Sequence, residues 1–168
     1  ARTYATQLSI IEQYPEYIFG ASMPQHYQFM KDQYPEIYER IKDAVKSGNW
    51  ELQGGMWIEA DCNLISGESM VRQFLKGKNF YKDEFDIEVD NLWLPDVFGY
   101  SAALPQILKR SGVNYFLTQK LSWSQFNEFP HQTFNWRGID GSEVLTHFPP
   151  ENTYNSELDT EFLLPAVT

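Results

Sequence analysis

The sequence predicts an α/β fold in which parallel strands are joined by helical crossovers. Three observations carry this. Short apolar runs of strand length recur at residues 17–20, 91–94 and 115–117. Stretches with apolar residues at helical spacing lie between them, among them Ile37, Ile41, Ala44 and Val45. Alternation of this kind favours a parallel sheet with helices as connections. No internal repeat, low-complexity tract or linker interrupts it.

Taken in order, Tyr4, Leu8 and Ile11 mark an amphipathic helix that ends near Pro15. Residues 17–20 read as a buried strand. Pro24 and Pro35 each open a helix, where a missing N–H is harmless, and Gly48 closes the second. Residues 50–57 read as a strand interrupted by Gly54 and Gly55, and a helix follows from Glu68 with Val71, Phe74 and Leu75 on one side. Residues 91–94 form a strand, Leu104, Ile107 and Leu108 a helix closed by Gly112, and residues 115–117 another strand. Residues 133–148 read as two strands about a turn at 139–142.

Hydrophobic residues make up 42% of the 168, enough for a folded core. The 23 acidic residues against 13 basic ones, a net charge of −10, argue against nucleic acid and against an anionic membrane surface. The charge is compatible with an uncharged partner such as a sugar, although by itself it speaks first for solubility. No apolar run reaches transmembrane length. Aromatic residues are 16%, a proportion suited to sugar sites but first of all to a core. The one cysteine, Cys62, can form no intrachain disulfide and reads as a packed thiol. Both ends read as cuts through a larger domain, with a helical pattern beginning at once after Ala1.

In parallel α/β folds chemistry sits beyond the C-terminal ends of strands. Asp61, Asp96 and Lys120 fall at such positions. There is no glycine-rich phosphate loop, no serine nucleophile elbow and no histidine pair, since His26, His131 and His147 lie far apart. Carboxylates at strand ends among aromatics suit glycoside hydrolysis, in which two carboxylates flank the scissile bond. They are equally suited to capping helices.

Longer strings bear on that balance. Residues 54–61 read GGMWIEAD, followed by Cys62-Asn63-Leu64, Ser66-Gly67-Glu68-Ser69 and Val71-Arg72-Gln73-Phe74. Residues 93–101 read WLPDVFGYS, with Leu104-Pro105-Gln106 after them, and residues 117–123 read LTQKLSW. In this order and spacing they resemble the catalytic N-terminal domain of family 38 α-mannosidases, nearest to the cytosolic, vacuolar and bacterial branch. The resemblance covers nearly the whole chain.

The resemblance implies an irregular seven-stranded β/α barrel of parallel strands, with residues 1–168 a part of it truncated at both ends. It implies removal of α-linked mannose from oligosaccharides with retention of configuration. It makes Asp61 both the nucleophile and a ligand of one divalent metal, zinc or, in some members of this branch, cobalt. Such a metal could chelate sugar hydroxyls and keep the carboxylate ionised. As a helix cap Asp61 is poorly placed, because Ser66 or Gly67 stands nearer the helix. By the same resemblance the loop holding Asp96 and Tyr100 borders the site, though Asp96 could equally organise the turn at Gly99 or cap the following helix. Phe98 reads as loop packing, and Lys120 could reach substrate or simply lie exposed.

The family's other metal ligands, a His-x-Asp pair upstream and a later His, have no match here, and the cut at Arg2-Thr3 falls just beyond that pair. No motif fixes the general acid/base; Glu151 and Asp159 are candidates only by location. The chain alone is therefore expected to be inactive. Two other readings compete: a metal-dependent carbohydrate deacetylase, which would want an Asp-Asp pair and a His-x-x-x-His absent here, and a non-catalytic carbohydrate-binding piece, which would want a β-sandwich pattern. The resemblance places the protein in the cytoplasm. Open sheet edges in a truncated domain leave room for a homo-oligomer.

Overall fold

A computed structural model describes residues 1–149 and Tyr154. The chain divides into two compact units, one of Ala1–Ile58 with Arg72–Val89, the other of Glu59–Val71 with Asp90–Thr168.

The first unit holds α1 (Arg2–Gln13), β1 (Phe19–Ala21), α2 (Pro24–Gln33), α3 (Pro35–Ser47), β2 (Trp50–Leu52) and most of α4 (Gly67–Phe85). Pro24 and Pro35 stand in the first turns of α2 and α3, and Gly48 ends α3 at φ 85°, where a side chain would be strained. β1 and β2 pair in parallel, Phe19 opposite Trp50. Tyr27, Ile41, Trp50 and Tyr81 are buried at the centre. The Trp50 indole donates to the Tyr27 hydroxyl at 2.9 Å, and that hydroxyl donates to the Ala21 carbonyl at 3.0 Å, so the polar atoms of this aromatic core are satisfied.

The strand expected over residues 50–57 ends at Leu52. Gly54 takes φ 71° and turns the chain away. The backbone beyond it bonds to α4 instead of to another strand. Trp57 N–H donates to the Gln73 carbonyl at 3.0 Å and Ile58 N–H to the Gln73 side chain at 3.1 Å. The Trp57 indole donates to Gln25 Oε1 at 2.9 Å.

The second unit holds β3 (Asn91–Leu94), α5 (Leu104–Arg110), β4 (Tyr115–Thr118), a 3₁₀ turn (Lys120–Ser122), β5 (Thr133–Arg137) and β6 (Glu143–His147). The sheet order is β3-β4-β6-β5. β3, β4 and β6 run parallel, with Leu94 opposite Thr118 and Leu117 opposite His147. Leu92, Leu94, Leu104, Leu108, Val113, Phe116 and Val144 fill its core.

The described residues do not form the expected seven-stranded barrel of parallel strands. Among the described residues the strands make one two-stranded and one four-stranded sheet, and β5 runs antiparallel to β6. Residues 138–142 are all that join β5 to β6, far too few for the crossover a parallel pair requires. The reversal is fixed locally: Gly141 takes φ 86°, and the Asp140 carboxylate accepts from Ser142 N at 3.0 Å and from Ser142 Oγ at 2.7 Å. The seven-strand count came from the resemblance; the residues themselves indicated a hairpin here. No helix among the described residues is long and apolar enough to cross a membrane.

Candidate active site

Asp61 lies well past the end of β2, in irregular backbone leading to α4, and not directly at a strand end. Its side chain is exposed. One oxygen, Oδ1, accepts from the backbone N–H of Asn63 at 2.8 Å and of Leu64 at 2.6 Å. This is an Asx turn, which fixes the carboxylate plane. Oδ2 has no hydrogen bond among the described residues. The cap of α4 is Ser66, whose hydroxyl accepts from Ser69 N–H at 3.2 Å.

The turn at Asp61 meets the loop that follows β3. Cys62 forms a parallel bridge with Tyr100, and the Asn63 amide donates to the Phe98 carbonyl at 3.4 Å. Gly99, at φ 120°, admits that amide, because a Cβ there would lie 2.5 Å from Asn63 Nδ2. Two strings far apart in the sequence are thus brought together. Cys62 is buried, and burial together with the neighbouring Asp61 charge pushes its thiol up to about 12, so it is a packed thiol and not a thiolate nucleophile.

Asp96 and Lys120 also meet. Lys120 Nζ lies 2.9 Å from Asp96 Oδ1, with the Lys120 side chain 10% exposed and that of Asp96 64% exposed. The Tyr154 hydroxyl donates to the same Oδ1 at 2.8 Å. The Lys120 ammonium sits 3.5 Å from the centre of the Trp123 ring and 4.4 Å from that of Phe98. Hydrogen bonds from Lys120 and Tyr154 hold the Asp96 carboxyl below its usual range. Burial works against the Lys120 charge, yet Tyr154 and Asp96 raise its pKa above the ordinary value. A cavity of about 440 Å³ is lined by Phe98, Gly99, Lys120, Leu121 and Trp123. Phe98 is 74% exposed, so it packs less than its loop position suggested. Trp123 was not singled out from sequence. The available signal was its place in the string LTQKLSW, three residues after Lys120.

Tyr100 is half-buried, and its hydroxyl is already bonded: it donates to the Leu94 carbonyl at 2.9 Å and lies 2.6 Å from Thr118 Oγ1. Thr118 Oγ1 in turn accepts from Lys120 N–H at 3.2 Å. Burial first of all pushes the Tyr100 hydroxyl well above its ordinary pKa, so at neutral pH it remains a hydroxyl. The chain Leu94–Tyr100–Thr118–Lys120 ties the C-terminal ends of β3 and β4 together.

Among the described residues no three His, Cys, Asp or Glu side chains gather in a way that could hold a metal ion. Asp61 offers a carboxylate with one oxygen uncommitted, a single ligand where zinc requires three or four. The described residues therefore do not by themselves fit a resident metal. His147, at the end of β6, is bonded through Nδ1 to Thr133 Oγ1 at 2.8 Å. Glu151 and Asp159 lie outside the described residues.

The arrangement of strands and helices is also found in a solved structure. An α-mannosidase from Enterococcus faecalis V583 superimposes with a TM-score of 0.72 at 21% identity, over 96% of this chain and 19% of that one, a likeness of fold. The model of the Glycosyl hydrolases family 38 N-terminal domain matches residues 1–168, and the chain belongs to that family. It is 52% identical over 161 residues to the Alpha-mannosidase G of Dictyostelium discoideum, covering 96% of this chain and 15% of that protein. It is 49% identical over 167 residues to the Alpha-mannosidase 2C1 of Homo sapiens, covering 99% of this chain and 16% of that protein. The chain thus spans about one sixth of the length of the curated relatives it matches.

Proposed function

We propose that the protein carrying this chain is a retaining α-mannosidase that acts on mannose-containing oligosaccharides, with Asp61 as its nucleophile. The family membership and the names of its relatives support the substrate. The observation that supports the role of Asp61 is its carboxylate, exposed, fixed through Oδ1 by two backbone amides and with no hydrogen bond at Oδ2 among the described residues, beside the loop of Asp96 and Tyr100.

Held this way, an oxygen of Asp61 can bond to the anomeric carbon as the glycosidic C–O bond breaks. The leaving oxygen takes a proton from a general acid that no motif of this chain fixes, and water then cleaves the glycosyl ester, giving its proton to that same group and restoring the Asp61 carboxylate. Asp96, Tyr100 and Lys120 border the sugar in this reading. A divalent metal, zinc or cobalt, would find one ligand in Asp61 and the others beyond the described residues, and no step above depends on it. A cytoplasmic location belongs to the same proposal and rests on the likeness of the motifs to the cytosolic branch of the family.

The test is labelling of the full-length enzyme with a slow 2- or 5-fluoro α-mannosyl substrate, followed by peptide mass spectrometry. A covalent sugar on the peptide containing Asp61, absent from Asp61→Asn, is expected. Label on a different carboxylate, or normal turnover by Asp61→Asn, would overturn the assignment.

A further inference from the structure

The pair formed by Asp96 and Lys120 is lopsided. The cation is nearly out of water and the anion mostly in it, their side chains 10% and 64% exposed. An ammonium removed from water needs compensation, and here Asp96 Oδ1 and the faces of Phe98 and Trp123 provide it. Ion pairs of this kind add little to stability compared with an apolar side chain of similar volume. What the arrangement does accomplish is geometric. Asp96 Oδ1 is held by both Lys120 and Tyr154, while Oδ2 has no hydrogen bond among the described residues. The carboxylate therefore stands with one oxygen anchored and the other without a hydrogen bond among the described residues, and the Lys120 that anchors it lines the cavity together with Phe98 and Trp123.

We infer that Lys120 is a positioning residue, which holds Asp96 in place so that its second oxygen can accept a hydroxyl of an uncharged sugar ring. The charges of the pair cancel, so an anionic ligand gains nothing at this place. A neutral hydroxyl gains a fixed, ionised acceptor, and a fixed acceptor binds at lower entropic cost than a mobile one. Lys120 acts through Asp96 and not by touching the ligand. The inference rests on the mannosidase reading above.

A double-mutant cycle in the full-length enzyme separates these possibilities. KM, kcat and melting temperature are measured on an aryl α-mannoside for Lys120→Met, Asp96→Ala and the double variant. The expected result is a rise in KM of roughly tenfold for each single variant, about what loss of one charge-assisted hydrogen bond costs. The double variant should be no worse than Asp96→Ala alone, and Lys120→Met should melt near the wild-type temperature. If Lys120→Met melts much lower, Lys120→Gln, which keeps the stem and loses the charge, replaces it in the cycle. Additive losses, or a wild-type KM in the lysine variant, would overturn the inference alone. No turnover by the wild-type enzyme on any α-mannoside would overturn the mannosidase reading, and this inference with it.

Discussion

Gly77, midway along α4, lies against the backbone of Gly55. A Cβ at position 77 would collide with the Gly55 carbonyl oxygen and come within 2.7 Å of Met56 C and 2.8 Å of Trp57 N. The obstacles are backbone atoms, which cannot swing aside. Gly77→Ala would gain about 1 kcal/mol of helix propensity. The collision is with backbone and should cost more than that gain, toward the upper end of the about 1–3 kcal/mol typical of overpacking. Urea denaturation should therefore show a net loss of stability. A variant at least as stable as wild type would mean that the segment 55–57 moves freely away from the helix.

Asp61 allows stability and chemistry to be separated. Asp61→Asn keeps an oxygen that can accept from Asn63 and Leu64, so the turn survives. Turnover should nonetheless fall by several orders of magnitude, because an amide is no nucleophile. Asp61→Ala removes the acceptor as well and should additionally lose about 1 kcal/mol of stability. Thermal melts beside steady-state rates check both. Equal melting of the two variants would deny the turn its role.

Glu84 supplies an acid-dependent element of stability. Burial disfavours its charge, but Lys31, the Tyr38 hydroxyl and Lys42 outweigh burial and hold its carboxyl below the ordinary 4.5. The folded pKa thus lies below the unfolded one, and the unfolded chain takes up the proton first. Stability from this group is complete above about pH 4.5 and is lost as pH falls through the folded value. Glu84→Gln should flatten the acid limb of a stability-versus-pH curve. An unchanged slope would show that other carboxylates dominate it.

The 168 residues expressed by themselves should bind zinc weakly and hydrolyse no aryl α-mannoside. Asp61 is one ligand, and water competes well for an ion so poorly chelated. Isothermal titration and a chromogenic assay decide this. Tight one-to-one binding with hydrolysis would mean that the missing ligands lie within the chain.

Much of the local structure was legible because single residues dictate it. Pro24, Pro35 and Gly48 set helix ends through their own backbone chemistry, and of the two caps the spacing offered for α4, Ser66 and Gly67, it is Ser66 that caps. What requires knowledge of partners was not legible. The segment through Trp57 has strand-like residues, but Gln25 and Gln73 bind its backbone and indole, and nothing in the local string foretells them. Asp96 and Lys120 were each visible as strand-end residues. That they touch depends on register: Leu94 stands opposite Thr118, and each charged residue lies two positions further along its own strand. Register is set by packing of whole faces, so it cannot be read from either strand alone.

The reversal at residues 138–142 also bears on the order in which the sheet assembles. β5 and β6 meet across a few residues, whereas β4 must close a much longer loop to reach β6. Closing a long loop has to be completed before its contacts reward it, and hairpins form in about 1–10 μs. The hairpin can thus exist first and arrive at β4 as a ready-made edge. On that order, the parallel ladder of β4 with β6 would grow on a strand already paired to β5 and not from two loose strands.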